Sequence, residues 1–230
     1  MEQAVINEMN FKIDIEELLK TLHIRPGSEH EKRVELLVQD AELIARPKAL
    51  YRAAYIDDKG DNFVIIDGIK FKSRVLRVNL DSVNRVFPYI ATSGREIEEW
   101  SETLEGMLEK YWADVIKEKA LRAAIMTLES HLVNTFKLGH ISKMNPGSLK
   151  DWPISEQKNL FKLLKDEQDL IGVELKDSFL MSPIKTVSGI YFPTEVSFVN
   201  CQLCPREGCP ARKAPFEKEL HDNKYSLANH

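Results

Sequence analysis

Apolar residues recur at helical spacing along much of the chain. The first such stretch follows Ser28, which lies three residues before Glu31 as in a capping box, and it predicts a helix that ends before Pro47. A longer stretch over 96–138 contains no proline and predicts one long helix, or two helices broken near Gly106. This central stretch is the strongest helix prediction in the sequence.

The ends and faces of the central stretch can also be predicted. Trp100 and Tyr111 follow its three- and four-residue spacing and are expected to pack in the core. Gly139 is expected to cap its C-terminal end. After a loop rich in turn-forming residues at 145–153, the pattern predicts a shorter helix over 154–164.

Alternation with a period of two residues replaces the helical pattern from Phe63 onward. The stretch 63–71 contains Asp67 and Gly68 at its centre and predicts a β-hairpin, because this pair tolerates the positive φ angles of a tight turn. The alternation continues over 76–80, which predicts a further strand.

More strands are predicted on both sides of the central helical stretch. One covers 86–90, where Pro88 would have to lie at a sheet edge or a bulge because it cannot donate a ladder hydrogen bond. Three short strands separated by polar turns are predicted within 171–192. Strands on either side of a long helical stretch predict an α+β fold with an antiparallel sheet, not alternating βαβ units.

Composition agrees with a folded protein and narrows its partners. The 230 residues leave room for one large domain or a smaller one with an appendage, and we expect a domain over 1–200 and a cysteine-rich segment with a polar tail over 201–230. The net charge of −4 provides no positive field for phosphate backbones, so nucleic acid is not an expected partner. The absence of a long apolar run argues against a membrane partner and favours a cytoplasmic protein.

Two adjacent stretches resemble a known family. Residues 143–164, KMNPGSLKDWPISEQKNLFKLL, and 171–192, IGVELKDSFLMSPIKTVSGIYF, resemble the activation (AdoMet-binding) domain of cobalamin-dependent methionine synthase. In that family an R-x-x-x-G-Y loop precedes a proline and a helix, and a later strand carries a serine-glycine-aromatic run. A weaker similarity extends back to about Tyr111, so the resemblance covers about half of the chain.

The resemblance implies a fold and a function. The fold is a twisted antiparallel sheet with long helices, and the family domain presents S-adenosylmethionine as a methyl donor when oxidised cobalt is reductively methylated. By this resemblance the chain would act on cobalamin held by a partner, either a corrinoid-binding protein or a cobalamin-dependent methionine synthase that lacks this domain. The resemblance leaves open whether the chain itself turns over as an enzyme.

The resemblance also implies which residues lie at the ligand. These cofactor-binding candidates are Lys143, Gly147, Ser148, Ser188, Gly189 and Tyr191. Gly147 matches the family's loop glycine, which allows close approach of the backbone to a ligand. Lys143 occupies the position of the loop arginine and Ser148 that of the loop tyrosine, so the bidentate grip of an arginine on a carboxylate is replaced by a point charge.

All three cysteines lie within nine residues, which is the main departure from the family. Cys201, Cys204 and Cys209 have C-x2-C-x4-C spacing, and two thiolates from such a pair can point to one soft-metal centre. His221 is a candidate fourth ligand of a zinc site, and an iron-sulfur cluster is the alternative metal centre. A redox dithiol and unliganded thiols remain as alternatives.

Two functions from different classes follow. The first is assistance in the reactivation or methylation of a corrinoid, with the cysteines as an electron relay or a structural clasp. The alternative is a non-catalytic adaptor of corrinoid proteins that carries a structural metal at the cysteines.

Overall fold

An antiparallel sheet forms the centre of the structure, which is a computed structural model that describes residues 3–149, 151–194, 202, 204–208, 212 and 214–219. Within these residues the strands are β1 (Gln3–Ile6), β2 (Lys48–Arg52), β3 (Ala54–Lys59), β4 (Phe63–Ile66), β5 (Ile69–Lys72), β6 (Arg85–Thr92), β7 (Ile141–Met144), β8 (Glu174–Leu175), β9 (Met181–Ser182) and β10 (Thr186–Pro193). The helices are α1 (Ile15–Thr21), α2 (Glu29–Ile44), α3 (Arg74–Asn79), α4 (Arg95–Glu102), α5 (Met107–Phe136), α6 (Gln157–Leu163) and α7 (Glu167–Ile171), with a 3-10 turn at Ile154–Glu156.

Strand β6 is the centre of the main sheet. On one side, β6 pairs with β2 along part of its length and with β3 along the rest. On the other side it pairs with β10, which in turn pairs with β7. Pro88 therefore lies in a central strand, so the first of its two expected positions, a sheet edge, is wrong. The ladder with β2 ends at Tyr51 opposite Tyr89 and resumes with β3 at Ala54 opposite Val86, so Pro88 lies opposite the break between the two strands.

Alternate residues of the central strands pack on opposite faces of the sheet. Phe87, Tyr89 and Tyr191 pack against α5, in one cluster with its Leu128 and Leu132. The other face is covered by the shorter helices. That side holds two clusters, which include Val86, Ile90, Ile190 and Phe192 from the strands and Trp152, Leu160, Phe161 and Ile171 from the covering segments. Three further helices, α1, α2 and α4, pack around the first half of α5.

Local patterns predicted several elements correctly. Helix α2 begins after Ser28, whose hydroxyl accepts the backbone N–H of Glu31 at 3.3 Å, and it ends before Pro47 as expected. The hairpin of β4 and β5 turns at Asp67 and Gly68, which have φ angles of 44° and 78°. Helix α6 and its preceding 3-10 turn cover the predicted helix at 154–164.

The central helical stretch is two helices, α4 and α5, separated at 103–106. This is the second of the two alternatives that the sequence left open. The predicted glycine cap is wrong, because Lys137 takes the left-handed conformation with φ 53° at the end of α5. The expected burial of Tyr111 is also wrong, since its side chain is 55% exposed and the adjacent Trp112 is buried.

The strand expected over 76–80 is a helix. Ser73 caps α3, because its hydroxyl accepts the backbone N–H of Leu76 at 3.0 Å. Leu76 and Leu80 are four residues apart, so the spacing that suggested a strand also fits one face of a helix. Both side chains are buried.

The predicted α+β fold with an antiparallel sheet is confirmed. Strands β8 and β9 form a separate two-residue pair, and β7 was not predicted. The boundary expected at residue 200 stays a prediction, because 195–201 lie outside the described residues. None of the helices described here is both long enough and apolar enough to cross a membrane.

Candidate functional site

A groove of about 530 Å³ lies between the loop that follows β7 and the segment that leads into β10. Its walls are residues 145–148 with Ile154 and Gln157 on one side and 179–181 with Ile184 on the other, and the start of β10 at 186–188 forms its floor. This volume is in the range of small-molecule sites. Gly147, Ser148 and Ser188 of the predicted site therefore lie together in the groove.

The loop over 145–148 is a tight turn anchored in the core. Gly147 has φ 82°, a conformation that favours glycine, and its N–H donates to the carbonyl of Trp152 at 2.8 Å. The N–H of Ser148 donates to the carbonyl of Asn145 at 3.2 Å. Trp152 is fully buried, so the loop carries its own attachment to the core.

A second attachment joins this loop to α3. The Oδ2 atom of Asp151 accepts the hydroxyl of Ser73 at 2.6 Å and the backbone N–H of Val75 at 2.9 Å. One carboxylate oxygen therefore connects the loop to the first turn of a neighbouring helix. Together with Trp152, this contact fixes the end of the loop that faces away from the groove.

Ser188 connects both walls of the groove to β10. Its carbonyl accepts Asn145 Nδ2 at 2.8 Å, and its hydroxyl donates to Gln157 Oε1 at 2.9 Å. The Nε2 atom of Gln157 donates to the carbonyl of Phe179 at 2.8 Å, on the opposite wall. Two amide side chains thus set the distance between the walls and the floor.

Gly189 lies beneath the side chain of Asn145. A Cβ atom at this position would lie 2.5 Å from Asn145 Nδ2 and 2.5 Å from the carbonyl oxygen of Met144. The same Nδ2 atom also donates to the hydroxyl of Tyr89 at 2.8 Å. Gly189 therefore contributes space for a neighbouring side chain and does not itself line the groove.

Lys143 and Tyr191 lie together on the α5 side of the sheet. Lys143 Nζ donates to the hydroxyl of Tyr191 at 3.0 Å and lies 3.6 Å from Glu129 Oε2, and the Tyr191 hydroxyl lies 3.2 Å from the same carboxylate oxygen. Neither residue lines the groove. The groove therefore includes only part of the predicted site.

Burial raises the pKa of two tyrosines behind the groove. Removal from water raises the pKa of Tyr191, and the charge of Glu129 raises it further. Burial likewise raises the pKa of Tyr89. The two rings lie 4.6 Å apart.

We expect these two phenols to make the fold sensitive to alkali. Because they keep their protons in the folded protein above pH 10 while the unfolded chain loses them, stability is full below about pH 10 and falls as the pH rises. The loss is up to about 1.4 kcal/mol per pH unit for each phenol. Urea unfolding between pH 8 and pH 11 measures it. The Tyr89→Phe and Tyr191→Phe variants should show a shallower fall, and a slope equal to that of the wild type would contradict the explanation.

The cysteine site is only partly described. Cys204 is half-buried against the cluster that contains Trp152, and its carbonyl accepts a hydrogen bond from Arg212 at 3.1 Å. Cys201, Cys209 and His221 lie outside the described residues. No group of three metal-ligating side chains occurs in the part of the chain that the structure describes, and the predicted metal site stays a prediction.

Two groove residues, Asn145 and Gln157, were missed by sequence reasoning. Asn145 reaches Tyr89 across 56 positions and Gln157 reaches Ser188 across 31, so no local spacing connects them. The available signal was their place within the matched stretches, on either side of Gly147.

Comparisons with known proteins agree with the resemblance in the sequence. Residues 147–204 match the family model described as "Vitamin B12 dependent methionine synthase, activation domain". The fold is similar to that in a crystal structure of the MetH reactivation domain bound to AdoHcy, with a TM-score of 0.56 and 15% identity, over 87% of this chain and 81% of that chain. No curated protein matches the chain. The resemblance to the activation domain is confirmed in the matched segment and in the fold.

Proposed function

We propose that this protein binds S-adenosylmethionine in the groove and assists the reactivation or methylation of a corrinoid on a partner protein. The observation that carries the proposal is the match over 147–204, because this segment includes Gly147 and Ser148 of the groove loop, the opposite wall and β10. The partner would be a corrinoid-binding protein or a cobalamin-dependent methionine synthase without this domain. The sequence resemblance and the groove geometry thus support the same segment as the ligand site.

The groove fits most of this ligand. Exposed apolar side chains at its rim, Ile154, Leu180 and Ile184, provide contact area for the adenosyl group. Among the described lining residues there is no charged side chain, so nothing there repels a sulfonium cation. When bound, S-adenosylmethionine supplies the methyl group that the corrinoid receives.

The chain's own residues orient the ligand and keep one end of it accessible. Gly147 turns the loop so that residues 145–148 border the groove, and Gln157 joins the floor to the opposite wall. The apolar rim removes water from the bound part of the ligand. The open mouth leaves the other part exposed toward a docking corrinoid protein.

Isothermal titration of the purified protein with S-adenosylmethionine tests the proposal. We expect binding with a stoichiometry of one, and a change in the visible spectrum of a cob(II)alamin protein when both are added under reducing conditions. The absence of both signals would refute the proposed function.

A matched pair of surface variants locates the binding. Ile184 and Leu43 are 74% and 73% exposed, but only Ile184 lies at the groove. Loss of one apolar ligand contact is worth about 1 kcal/mol, so Ile184→Ser should weaken binding by about five- to tenfold. Leu43→Ser should leave the affinity unchanged.

The adaptor function is favoured by one observation, the engagement of Lys143 with Glu129 and Tyr191 outside the groove. In this alternative the segment 201–230 would carry a structural zinc at Cys201, Cys204 and Cys209. Metal and sulfide analysis after anaerobic purification separates the two. Stoichiometric zinc without ligand binding supports the adaptor, whereas iron with acid-labile sulfide contradicts it.

A further inference from the structure

We infer that Asn145 recognises the amino group of the ligand and that the groove has no ionic requirement for the ligand's carboxylate. The inference rests on the proposed function and specifies which chemical features of a sulfonium nucleoside the groove selects. It follows from the orientation of one amide and from the position of one lysine.

The orientation of the Asn145 amide is fixed by its two acceptors. Nδ2 lies 2.8 Å from the carbonyl oxygen of Ser188, which can only accept, so the atom facing it must be the nitrogen. The hydroxyl oxygen of Tyr89 accepts a second hydrogen bond from the same nitrogen, at 2.8 Å. Both hydrogens of the amide are thereby used, and Gly189 leaves the room that this arrangement needs.

The Oδ1 atom of Asn145 is consequently the part of the amide left for a ligand. It has no hydrogen-bond partner among the residues that the structure describes, and Asn145 lines the groove. A carbonyl oxygen held in a fixed direction accepts hydrogen bonds and cannot donate them. An ammonium group is a complementary donor, whereas a carboxylate would be repelled by the same oxygen.

A carboxylate finds no matching group in the groove. No cationic side chain occurs among its described lining residues, and Lys143 interacts with Glu129 and Tyr191 on the α5 side of the sheet. The backbone N–H groups of Gly147 and Ser148 already donate to the carbonyls of Trp152 and Asn145. The carboxylate would therefore stay in water at the open mouth of the groove.

Calorimetric titration with three compounds tests the inference. These are S-adenosylmethionine, its decarboxylated form, which keeps the amine, and its deaminated form, which keeps the carboxylate. We expect the decarboxylated compound to bind within about threefold of S-adenosylmethionine, and the deaminated compound to bind at least tenfold more weakly.

The Asn145→Ala variant assigns this selectivity to one residue. In this variant the preference for S-adenosylmethionine over the deaminated compound should fall to about twofold or less, whatever happens to the absolute affinity. The matched control is Asn159→Ala, because Asn159 lies on α6 two residues from Gln157 but does not line the groove. Asn159→Ala should keep the full preference.

The outcomes separate this inference from the proposed function. If the wild type binds S-adenosylmethionine but loses more than tenfold in affinity when the carboxylate is removed, the inference is wrong and the proposed function stands. A preference for the amine that persists in Asn145→Ala also overturns the inference. If none of the three compounds binds to the wild type, both are overturned.

Discussion

Replacement of Trp152 by alanine is expected to lower the free energy of unfolding by about 3–5 kcal/mol. The Trp152 side chain is fully buried and packs in the cluster that contains Phe71, Leu149 and Leu160, with its ring 6.3 Å from that of Phe71. Its removal leaves a cavity that the neighbouring strands cannot close without moving. For a protein of this size the loss corresponds to a fall in Tm of roughly 6 to 20 °C.

The same substitution should also affect the groove. Trp152 provides the carbonyl that accepts the N–H of Gly147, so a displaced Trp152 backbone changes the path of the loop. Trp152→Phe is the conservative control, because it keeps an aromatic ring and removes an indole N–H that has no partner among the described residues. Thermal and urea unfolding compare the variants. A loss below about 1.5 kcal/mol in Trp152→Ala would contradict the assigned role in the core.

Elements whose signals lie within a few residues were predicted from the sequence. Ser28 with Glu31, and Asp67 with Gly68, specify a helix start and a turn through contacts between near neighbours. Helix α3 was predicted as a strand because its apolar positions fit both periods, although it has a local cap in Ser73, and contacts from outside the segment also hold its first turn. Those contacts include the carboxylate of Asp151, which accepts the N–H of Val75.

Of the six cofactor-binding candidates, three line the groove, namely Gly147, Ser148 and Ser188, and the other three do not. Strand alternation places residues separated by an odd number of positions on opposite faces, so the side chains of Ser188 and Tyr191 project from opposite faces of the sheet. Lys143 is the register partner of Tyr191 and therefore lies on the same α5 side. The shared face of Lys143 and Tyr191 could be predicted only if 141–144 were recognised as a strand. This strand, β7, has four residues, which is too short for its alternation to be recognised in the sequence.

A single methyl group at Gly189 is expected to disturb both the fold and the groove. The Gly189→Ala Cβ would lie 2.5 Å from Asn145 Nδ2, 2.5 Å from the Met144 carbonyl oxygen and 3.0 Å from Tyr89 Cε1. The side chain of Asn145 can rotate away, but the Met144 carbonyl belongs to the strand β7 that pairs with β10. We therefore expect a loss of about 1–3 kcal/mol in the free energy of unfolding.

The loss of ligand binding in Gly189→Ala should exceed what its stability predicts. Rotation of Asn145 away from the new methyl group breaks its hydrogen bonds to Ser188 and Tyr89, so the loop at 145–148 is no longer held to the floor of the groove. We expect at least tenfold weaker binding at a temperature where the variant remains folded. Gly139→Ala is the matched control, because a Cβ there meets nothing within 4 Å. If Gly189→Ala retains both the Tm and the affinity of Gly139→Ala, the close contact between β10 and Asn145 does not shape the groove.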